Sequence, residues 1–142
     1  MPKNNPSLIV FADSDVGYYC LNWLIDNFRE DLVAVVTISE NRIASLAVKE
    51  NIANHIFISD LEYLEFLSAY NISPDLGFLL WWPKIISTKV INSVHSYFVN
   101  THPSLLPFNR GKHYNFWCLV EQCPFGVTLH IVAEGIDCGP VI

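Results

Sequence analysis

Short apolar segments alternate with segments of helical periodicity along most of the chain, and this alternation limits the possible folds more than any other feature. Apolar runs of strand length occur at residues 7–11, 31–38, 55–58, 76–81 and 96–101. The run at 31–38 is apolar almost throughout, which is typical of a strand with both faces buried in a parallel sheet. We therefore predict a doubly wound, mostly parallel α/β sheet of Rossmann-like type with flanking helices.

The segments between these runs are predicted to be helices. Asp13 or Ser14 is expected to cap the first helix. Its apolar residues at helical spacing are Val16, Tyr19, Cys20, Trp23 and Leu24. Further helices are predicted over 43–50, 61–70 and 88–94; the apolar sides of the first two carry Ile43, Leu46, Ala47 and Leu61, Leu64, Leu67 respectively.

The pattern changes after residue 101. Residues 101–112 include two prolines and a glycine, so they are predicted to form a loop. A helix over 114–121, a strand over 127–132 and the start of a last strand at 140–142 are expected to follow, which predicts a C-terminal strand hairpin.

Composition and charge narrow the class of protein. With 142 residues, 51% of them hydrophobic, the chain is expected to form one domain over residues 1–142. A net charge of −6 disfavours a nucleic-acid partner. The longest apolar stretch, at 77–83, is shorter than the about 20 residues that a membrane span needs. Residues 1–8 carry no secretory pattern, so we predict a cytoplasmic protein with small-molecule substrates.

The four cysteines, Cys20, Cys118, Cys123 and Cys138, are predicted to be reduced, buried thiols. Cys118 and Cys123 lie near His113 and His130, which raises the possibility of zinc. Structural zinc sites usually have tighter ligand pairs, repeated once. We therefore predict no metal.

Polar residues follow the ends of two predicted strands. Asn100, His102 and Ser104 come at and after the end of the fifth run, and Asp137 lies in the loop after 127–132. Ligands of open parallel sheets bind beyond the carboxyl ends of the strands. An amide donor, an imidazole and a carboxylate suit a reaction that forms an oxyanion and moves a proton. These residue types also occur by chance in most chains, and Ser104 is expected to be structural.

Two stretches carry a family resemblance. NTHPSLLPFNRG at 100–111 and GVTLHIVAEGIDCGPVI at 126–142 resemble the folate-dependent formyltransferases, which share an Asn-x-His followed by SLLP, a nearby Gly, and an Asp on a loop after a GVT strand. The resemblance implies the formyltransferase catalytic-domain fold, 10-formyltetrahydrofolate as co-substrate, and catalytic roles for Asn100, His102 and Asp137. Asn100 and His102 would donate hydrogen bonds to the oxyanion, and Asp137 would move the proton.

The resemblance also implies where the folate binds. In this family backbone groups between the fourth and fifth strands hold the pterin, which here corresponds to Trp81, Trp82, Pro83, Lys84, Ile85 and Ile86. The Asp137 loop, with Gly135 and Ile136, would contact the other side of the pterin. One of the two tryptophans is expected to be a core residue instead.

The acceptor amine is predicted from weaker signals. FNRGKHYNFW at 108–117 is similar to the branch that formylates nucleotide-linked amino sugars. Arg110 and Lys112 are either diphosphate contacts or solvated surface cations. His130 alternates with Thr128 and Val132 on its predicted strand and is a candidate to line the site. Asp13 and Ser14 occupy the turn that binds the substrate phosphate in the glycinamide ribonucleotide enzymes, where a carboxylate is unfavourable. A purine-pathway enzyme that formylates glycinamide ribonucleotide is therefore the second candidate within this family.

Functions of different classes are also compatible with parts of the sequence. The family's domain normally continues beyond Ile142, so a truncated folate-binding domain without activity, or a homodimer formed through the exposed final strand, is consistent with the sequence. A nicotinamide-dependent dehydrogenase is disfavoured, because residues 11–17 contain one glycine where the dinucleotide fingerprint needs three.

Overall fold

The computed structural model describes residues 5–142, so the first residues of the N-terminal stretch in which we find no secretory pattern lie outside the described part. The strands are β1 (Leu8–Ala12), β2 (Leu32–Thr37), β3 (Ala53–Ile56), β4 (Leu76–Leu80), β5 (Tyr97–His102) and β6 (Thr128–Ile131). The helices are α1 (Ser14–Phe28), α2 (Arg42–Lys49), α3 (Asp60–Ala69), α4 (Thr88–Ile91) and α5 (Tyr114–Glu121), with a 3-10 turn at Arg29–Asp31.

The strands form one sheet in the order β3-β2-β1-β4-β5-β6. β1 pairs in parallel with β2 and β4, and β2 pairs in parallel with β3, whereas β5 and β6 are antiparallel. The chain leaves β1 toward one edge and returns to the other side of β1 with β4, which is the reversal of a doubly wound sheet. The predicted fold class is therefore confirmed.

Two compact units make up the chain, one ending at Phe98 and one comprising Val99–Ile142. In the first unit every residue of β1 is buried. Phe11 of β1 lies in edge contact with Tyr63, Trp82 and Phe98, at ring-centroid distances of 5.3, 5.1 and 5.4 Å. These aromatic rings form much of the core on one face of the sheet.

The buried side of α1 differs in part from the predicted one: Cys20 and Leu24 pack against the core as predicted, but the other three residues do not. Val16, Tyr19 and Trp23 are exposed, and the residues that α1 buries are Gly17 and Leu21. A Cβ atom on Gly17 would lie 2.8 Å from the carbonyl oxygen of Leu80, so the missing side chain lets the helix approach the sheet along this line. Apolar periodicity identifies a buried helix face by its large side chains. Here α1 comes closest to the sheet at a glycine, which has no side chain.

Smaller corrections concern the helix caps and the buried face of α3. Asp13 stands at the N-cap of α1 but makes no side-chain cap bond, whereas Asn41 and Ser59 cap α2 and α3 with theirs. In α3 the predicted face is wrong in part: Leu67 is buried as predicted, but Leu61 is exposed, and the helix also buries Tyr63 and Phe66. The face predicted for α2 is confirmed, because Ile43, Leu46 and Ala47 are all buried.

Strand boundaries shift slightly from those predicted. β3 begins two residues earlier than the predicted run, and Phe57 donates a backbone hydrogen bond to Thr37 just after the strand ends. The last predicted strand is reduced to one antiparallel bridge between His130 and Val141. Helix α5 has the predicted bounds. Within residues 5–142 we find no helix with the length and apolar character of a membrane span.

Candidate functional site

The antiparallel pairing of β5 and β6 brings polar residues together in the second unit. Asn100 lies opposite His130, and His102 lies opposite Thr128. Directly paired residues project to the same face, and so do residues two apart on one strand. Asn100, His102, Thr128 and His130 therefore share one face of the β5–β6 pair, where His102, Thr128 and His130 are buried.

Asp137 reaches this face from the loop after β6. The loop turns through Gly135 at φ 110° and Asp137 itself at φ 47°, both in the left-handed region. The carboxylate has four nitrogen neighbours: Oδ2 lies 2.8 Å from the Gly111 amide and 3.3 Å from His102 Nδ1, and Oδ1 lies 3.3 Å from Asn100 Nδ2 and 3.4 Å from His130 Nε2. We call Asn100, His102, His130, Asp137 and the Gly111 amide the Asp137 cluster.

The carboxylate sets the orientation of the Asn100 amide. Because an ionised carboxylate only accepts hydrogen bonds, the side-chain atom of Asn100 that faces it is nitrogen. The same nitrogen lies 3.1 Å from His130 Nε2, and that ring nitrogen is itself 3.4 Å from Asp137 Oδ1. His130 Nδ1 lies 3.0 Å from the carbonyl oxygen of Ile131 and donates to it. His130 thus contacts both the carboxylate and the Asn100 amide.

His102 is bound through both ring nitrogens. Nε2 lies 3.0 Å from the carbonyl oxygen of Asn109 and Nδ1 faces Asp137. A carbonyl only accepts, so Nε2 carries a hydrogen, and the proton that can be exchanged lies between Nδ1 and the carboxylate. The ring also meets Tyr114 edge-on, with centroids 5.6 Å apart. Partial burial raises the pKa of the Tyr114 phenol, which keeps this neighbour neutral.

Contacts to Asp137 differ in strength. The Gly111 amide makes a bond of 2.8 Å, whereas the separations from Asn100 and His102 are both 3.3 Å. Charge-assisted bonds from nitrogen to a carboxylate are usually about 2.7 to 2.9 Å long, so the two side-chain contacts are weak. Asn100 and His102 can therefore exchange Asp137 for a substrate oxygen at little cost, while Gly111 keeps the carboxylate in position.

Ser104 has the structural role expected of it. Its hydroxyl donates to the carbonyl of Phe108 at 2.7 Å. Its own carbonyl accepts from the Thr128 hydroxyl at 2.8 Å, and that hydroxyl in turn accepts from the Leu106 amide at 3.0 Å. These bonds tie the loop after β5 to β6, and they support the backbone that carries Asn109 and Gly111.

The remaining predicted acceptor residues are not members of the Asp137 cluster. Arg110 and Lys112 are exposed and flank Gly111. Asp13 and Ser14 are in the first unit, at the start of α1. Asp15 beside them pairs with Arg42 at 2.6 Å on the surface.

The predicted folate segment, residues 81–86, also lies in the first unit, between β4 and α4. Trp82 packs against Phe11, and Ile86 is buried, so both are core residues. Trp81 has a φ of 59°, and the backbone then runs through three exposed residues, Pro83, Lys84 and Ile85. The Nε1 atom of Trp82 is buried without a hydrogen-bond partner in the described structure.

Sequence reasoning did not find the two backbone groups that hold the cluster, the Asn109 carbonyl and the Gly111 amide. Both residues have positive φ, 52° and 80° respectively, and an Asn and a Gly two residues apart in a proline-containing loop are the available signal. All four cysteines are free thiols, but their predicted burial is confirmed only for Cys118: Cys20 and Cys123 are half-buried and Cys138 is exposed. Among residues 5–142 no group of three or more His, Cys, Asp or Glu side chains is arranged to hold a metal ion.

Comparison with known proteins identifies the family. The model of the formyl transferase family, in its N-terminal domain, matches residues 28–142. The chain belongs to the formyl transferase family. The resemblance seen in the Asn-x-His and GVT segments is therefore confirmed.

One relative of this chain is a much longer protein. The bifunctional polymyxin resistance protein ArnA of Wigglesworthia glossinidia brevipalpis is 30% identical over 146 residues, which cover 95% of this chain and 22% of that protein. The chain thus spans about a fifth of the length of this curated relative.

Two solved structures share the fold. Glycinamide ribonucleotide transformylase 1 from Symbiobacterium toebii has a TM-score of 0.79 at 22% identity, over 96% of this chain and 70% of that one. A 4-N formyltransferase from Francisella tularensis has a TM-score of 0.70 at 24% identity, over 96% of this chain and 54% of that one. Because the two proteins are named for different activities, the fold alone does not select an acceptor.

Proposed function

We propose that this chain transfers the formyl group of 10-formyltetrahydrofolate to the amine of a nucleotide-linked amino sugar. Family membership supports the transfer of a formyl group. The observation that carries the proposal is the Asp137 cluster, in which an amide donor and an imidazole meet a carboxylate that a backbone amide holds at 2.8 Å.

The reaction needs two donors and one proton acceptor. When the acceptor amine attacks the formyl carbon, the carbonyl oxygen gains negative charge. Asn100 Nδ2 and His102 would donate to that oxygen in place of their long contacts with Asp137, and one such donor is typically worth about 3 kcal/mol in the transition state. Collapse of the intermediate reforms the carbonyl and breaks the bond to the folate nitrogen.

Proton balance assigns a role to Asp137. The attacking nitrogen must lose one proton and the leaving folate nitrogen must gain one, so the carboxylate can take up the first and return it, directly or through water. His102 Nδ1 lies 3.3 Å from Oδ2 until the substrate oxygen replaces that contact, so the proton is carried by Asp137. No net proton is consumed.

The folate is proposed to bind along residues 81–86, with Gly135 and Ile136 as further contacts. Pro83, Lys84 and Ile85 are exposed, so their backbone groups are accessible to the polar edge of a pterin, and Ile85 is 82% exposed. Backbone recognition is consistent with an aromatic and aliphatic sequence here.

The choice of acceptor rests on the charged residues near two possible phosphate sites. Asp13 and Asp15 stand at the start of α1, and Asp15 keeps a surface pair with Arg42, so this turn is a poor site for a substrate phosphate. Arg110 and Lys112 are exposed beside Gly111 of the Asp137 cluster and can meet a diphosphate. These features favour the amino-sugar acceptor over glycinamide ribonucleotide.

A turnover assay tests both levels of the proposal. The purified chain is incubated with 10-formyltetrahydrofolate and, separately, with a panel of nucleotide-linked amino sugars and with glycinamide ribonucleotide. Formation of deformylated folate with an amino sugar supports the proposal, and turnover with glycinamide ribonucleotide alone contradicts the acceptor assignment. Absence of turnover with every amine contradicts the activity.

A binding experiment separates an inactive folate-binding domain from an enzyme. Titration with a folate analogue should quench tryptophan fluorescence saturably, and Trp82→Phe should reduce that signal while Trp23→Phe, on the exposed side of α1, should not. Saturable binding without turnover would favour an inactive binding domain. No binding at millimolar concentration would contradict the folate site.

A further inference from the structure

We propose that Cys123 is a positioning residue that acts through Asn109 on His102. The proposal rests on the proposed function, because it concerns the orientation of the ring that would stabilise the oxyanion. Neither Cys123 nor Asn109 is one of the Asn-x-His, SLLP, Gly and Asp positions that define the family pattern. The link consists of two hydrogen bonds, from the Cys123 thiol to Asn109 Oδ1 at 2.7 Å and from His102 Nε2 to the Asn109 carbonyl at 3.0 Å.

The Asn109 carbonyl decides which nitrogen of His102 exchanges a proton. While Nε2 donates to that carbonyl its hydrogen is fixed, so gain and loss of a proton occur at Nδ1, which faces Asp137. If the carbonyl moved away, the ring could rotate or adopt the other neutral form. Rotation would take Nδ1 away from the carboxylate, and the other neutral form would leave Nε2 without a hydrogen to donate.

Asn109 needs support to hold its carbonyl there. Its φ of 52° lies in the left-handed region, which Asn tolerates better than most residues but does not prefer. The carboxamide is bound at both ends: Oδ1 accepts from the Cys123 thiol, and Nδ2 donates to Glu121 Oε2 at 3.2 Å. Glu121 is exposed, so water competes for its hydrogen bond with Asn109. Cys123 is half-buried, so its hydrogen bond with Asn109 is better shielded from water.

The end of α5 determines where the Cys123 thiol lies. Gln122 adopts φ 51°, and the Cys123 amide donates to the Cys118 carbonyl at 3.2 Å, a helix ending that brings these two residues side by side. The Cys118 thiol donates to the Cys123 carbonyl at 3.1 Å, and burial raises the pKa of Cys118, so it stays protonated as a donor. The backbone of Cys123 is therefore held on both sides.

A pair of substitutions tests the role of the thiol as a donor. Cys123→Ala removes the donor, and Cys123→Ser replaces it with a hydroxyl on the same carbon. We expect kcat to fall about tenfold or more in the alanine variant, in line with the cost of small misplacements at a site, with KM for the folate changed less than about twofold. The serine variant should retain most of kcat. Cys20→Ala, in α1 of the first unit, is the matched control and should behave as the wild type.

A second substitution tests whether the effect passes through Asn109. Asn109→Gly keeps the left-handed backbone accessible and removes the carboxamide. Its kcat should match that of Cys123→Ala, and the double variant should be no slower than either single variant, because both changes interrupt one link. Additive losses, equal losses for alanine and serine, or a wild-type kcat in Cys123→Ala would each overturn the proposal.

Nuclear magnetic resonance gives a readout that does not depend on turnover. In the wild type the Nε2 hydrogen of His102, identified by its absence in His102→Gln, should exchange slowly with solvent. Exchange should accelerate in Cys123→Ala and not in Cys123→Ser or Cys20→Ala. If the wild type lacks activity but shows this pattern, the proposed function fails and the positioning link stands; unchanged exchange in Cys123→Ala overturns the link itself.

Discussion

Replacement of Asp137 by Asn is the most informative single change, because it retains the shape of the side chain and removes its charge. Four nitrogens surround the carboxylate at 2.8 to 3.4 Å. The amide oxygen of an asparagine would keep the short bond from Gly111. Its amino group would then replace Oδ1 and face the amino group of Asn100, which loses an acceptor.

The structural cost and the catalytic cost of this change differ in size. A buried donor left without a partner costs about 1 to 3 kcal/mol in unfolding free energy. A lost general base costs about 10² to 10⁴ in rate, which corresponds to about 3 to 5 kcal/mol of transition-state stabilisation. We therefore expect Asp137→Asn to remain folded at 25 °C while kcat falls by about two to four orders of magnitude.

Steady-state kinetics with the active acceptor and chemical denaturation of the same preparations measure the two costs. Asp26→Asn, which removes an exposed carboxylate in α1, is the control for net charge and should leave kcat unchanged. A kcat for Asp137→Asn within tenfold of the wild type would refute the assignment of proton transfer to this carboxylate. If the fraction of unfolded protein accounted for the whole loss of kcat, the separation of the structural cost from the catalytic cost would be refuted.

Three further predictions concern separate parts of the chain. Asn100→Ala should lower kcat about 10²- to 10³-fold with little change in KM, as measured in the same assay. Gly77→Ala should destabilise the first unit by about 1 to 3 kcal/mol in urea denaturation, because the new Cβ would lie 2.2 Å from the Phe98 ring, and Phe98→Leu should relieve part of the loss. Hydrogen bonds from Ser7 lower the pKa of Asp75, so its contribution to stability is present above the unfolded-state pKa and is lost as the pH falls through the lowered folded-state pKa. The urea midpoints of wild type and Asp75→Asn should differ at neutral pH and converge in acid; a difference that persists in acid would contradict this assignment.

Much of the fold follows from local patterns in the sequence. The side chains of a strand either alternate between apolar and polar or are apolar on both faces. Runs such as Leu32–Thr37 are therefore recognisable as strands before their neighbours in the sheet are known. The short segments that carry the family pattern also name Asn100, His102 and Asp137 directly. The sheet, its helices and the identity of the candidate site residues were therefore determined by the sequence.

Tertiary structure decided which surfaces meet and which backbone groups bind the site. The line along which α1 contacts the sheet depends on the space that Gly17 leaves beside Leu80. The distance between these two residues cannot be read from the periodicity of the helix. Likewise, the Asn109 carbonyl and the Gly111 amide reach His102 and Asp137 only because a loop folds back over the β5–β6 pair. Helical and strand periods are properties of neighbouring residues, whereas close approach and hydrogen-bond partners depend on residues far apart in the chain.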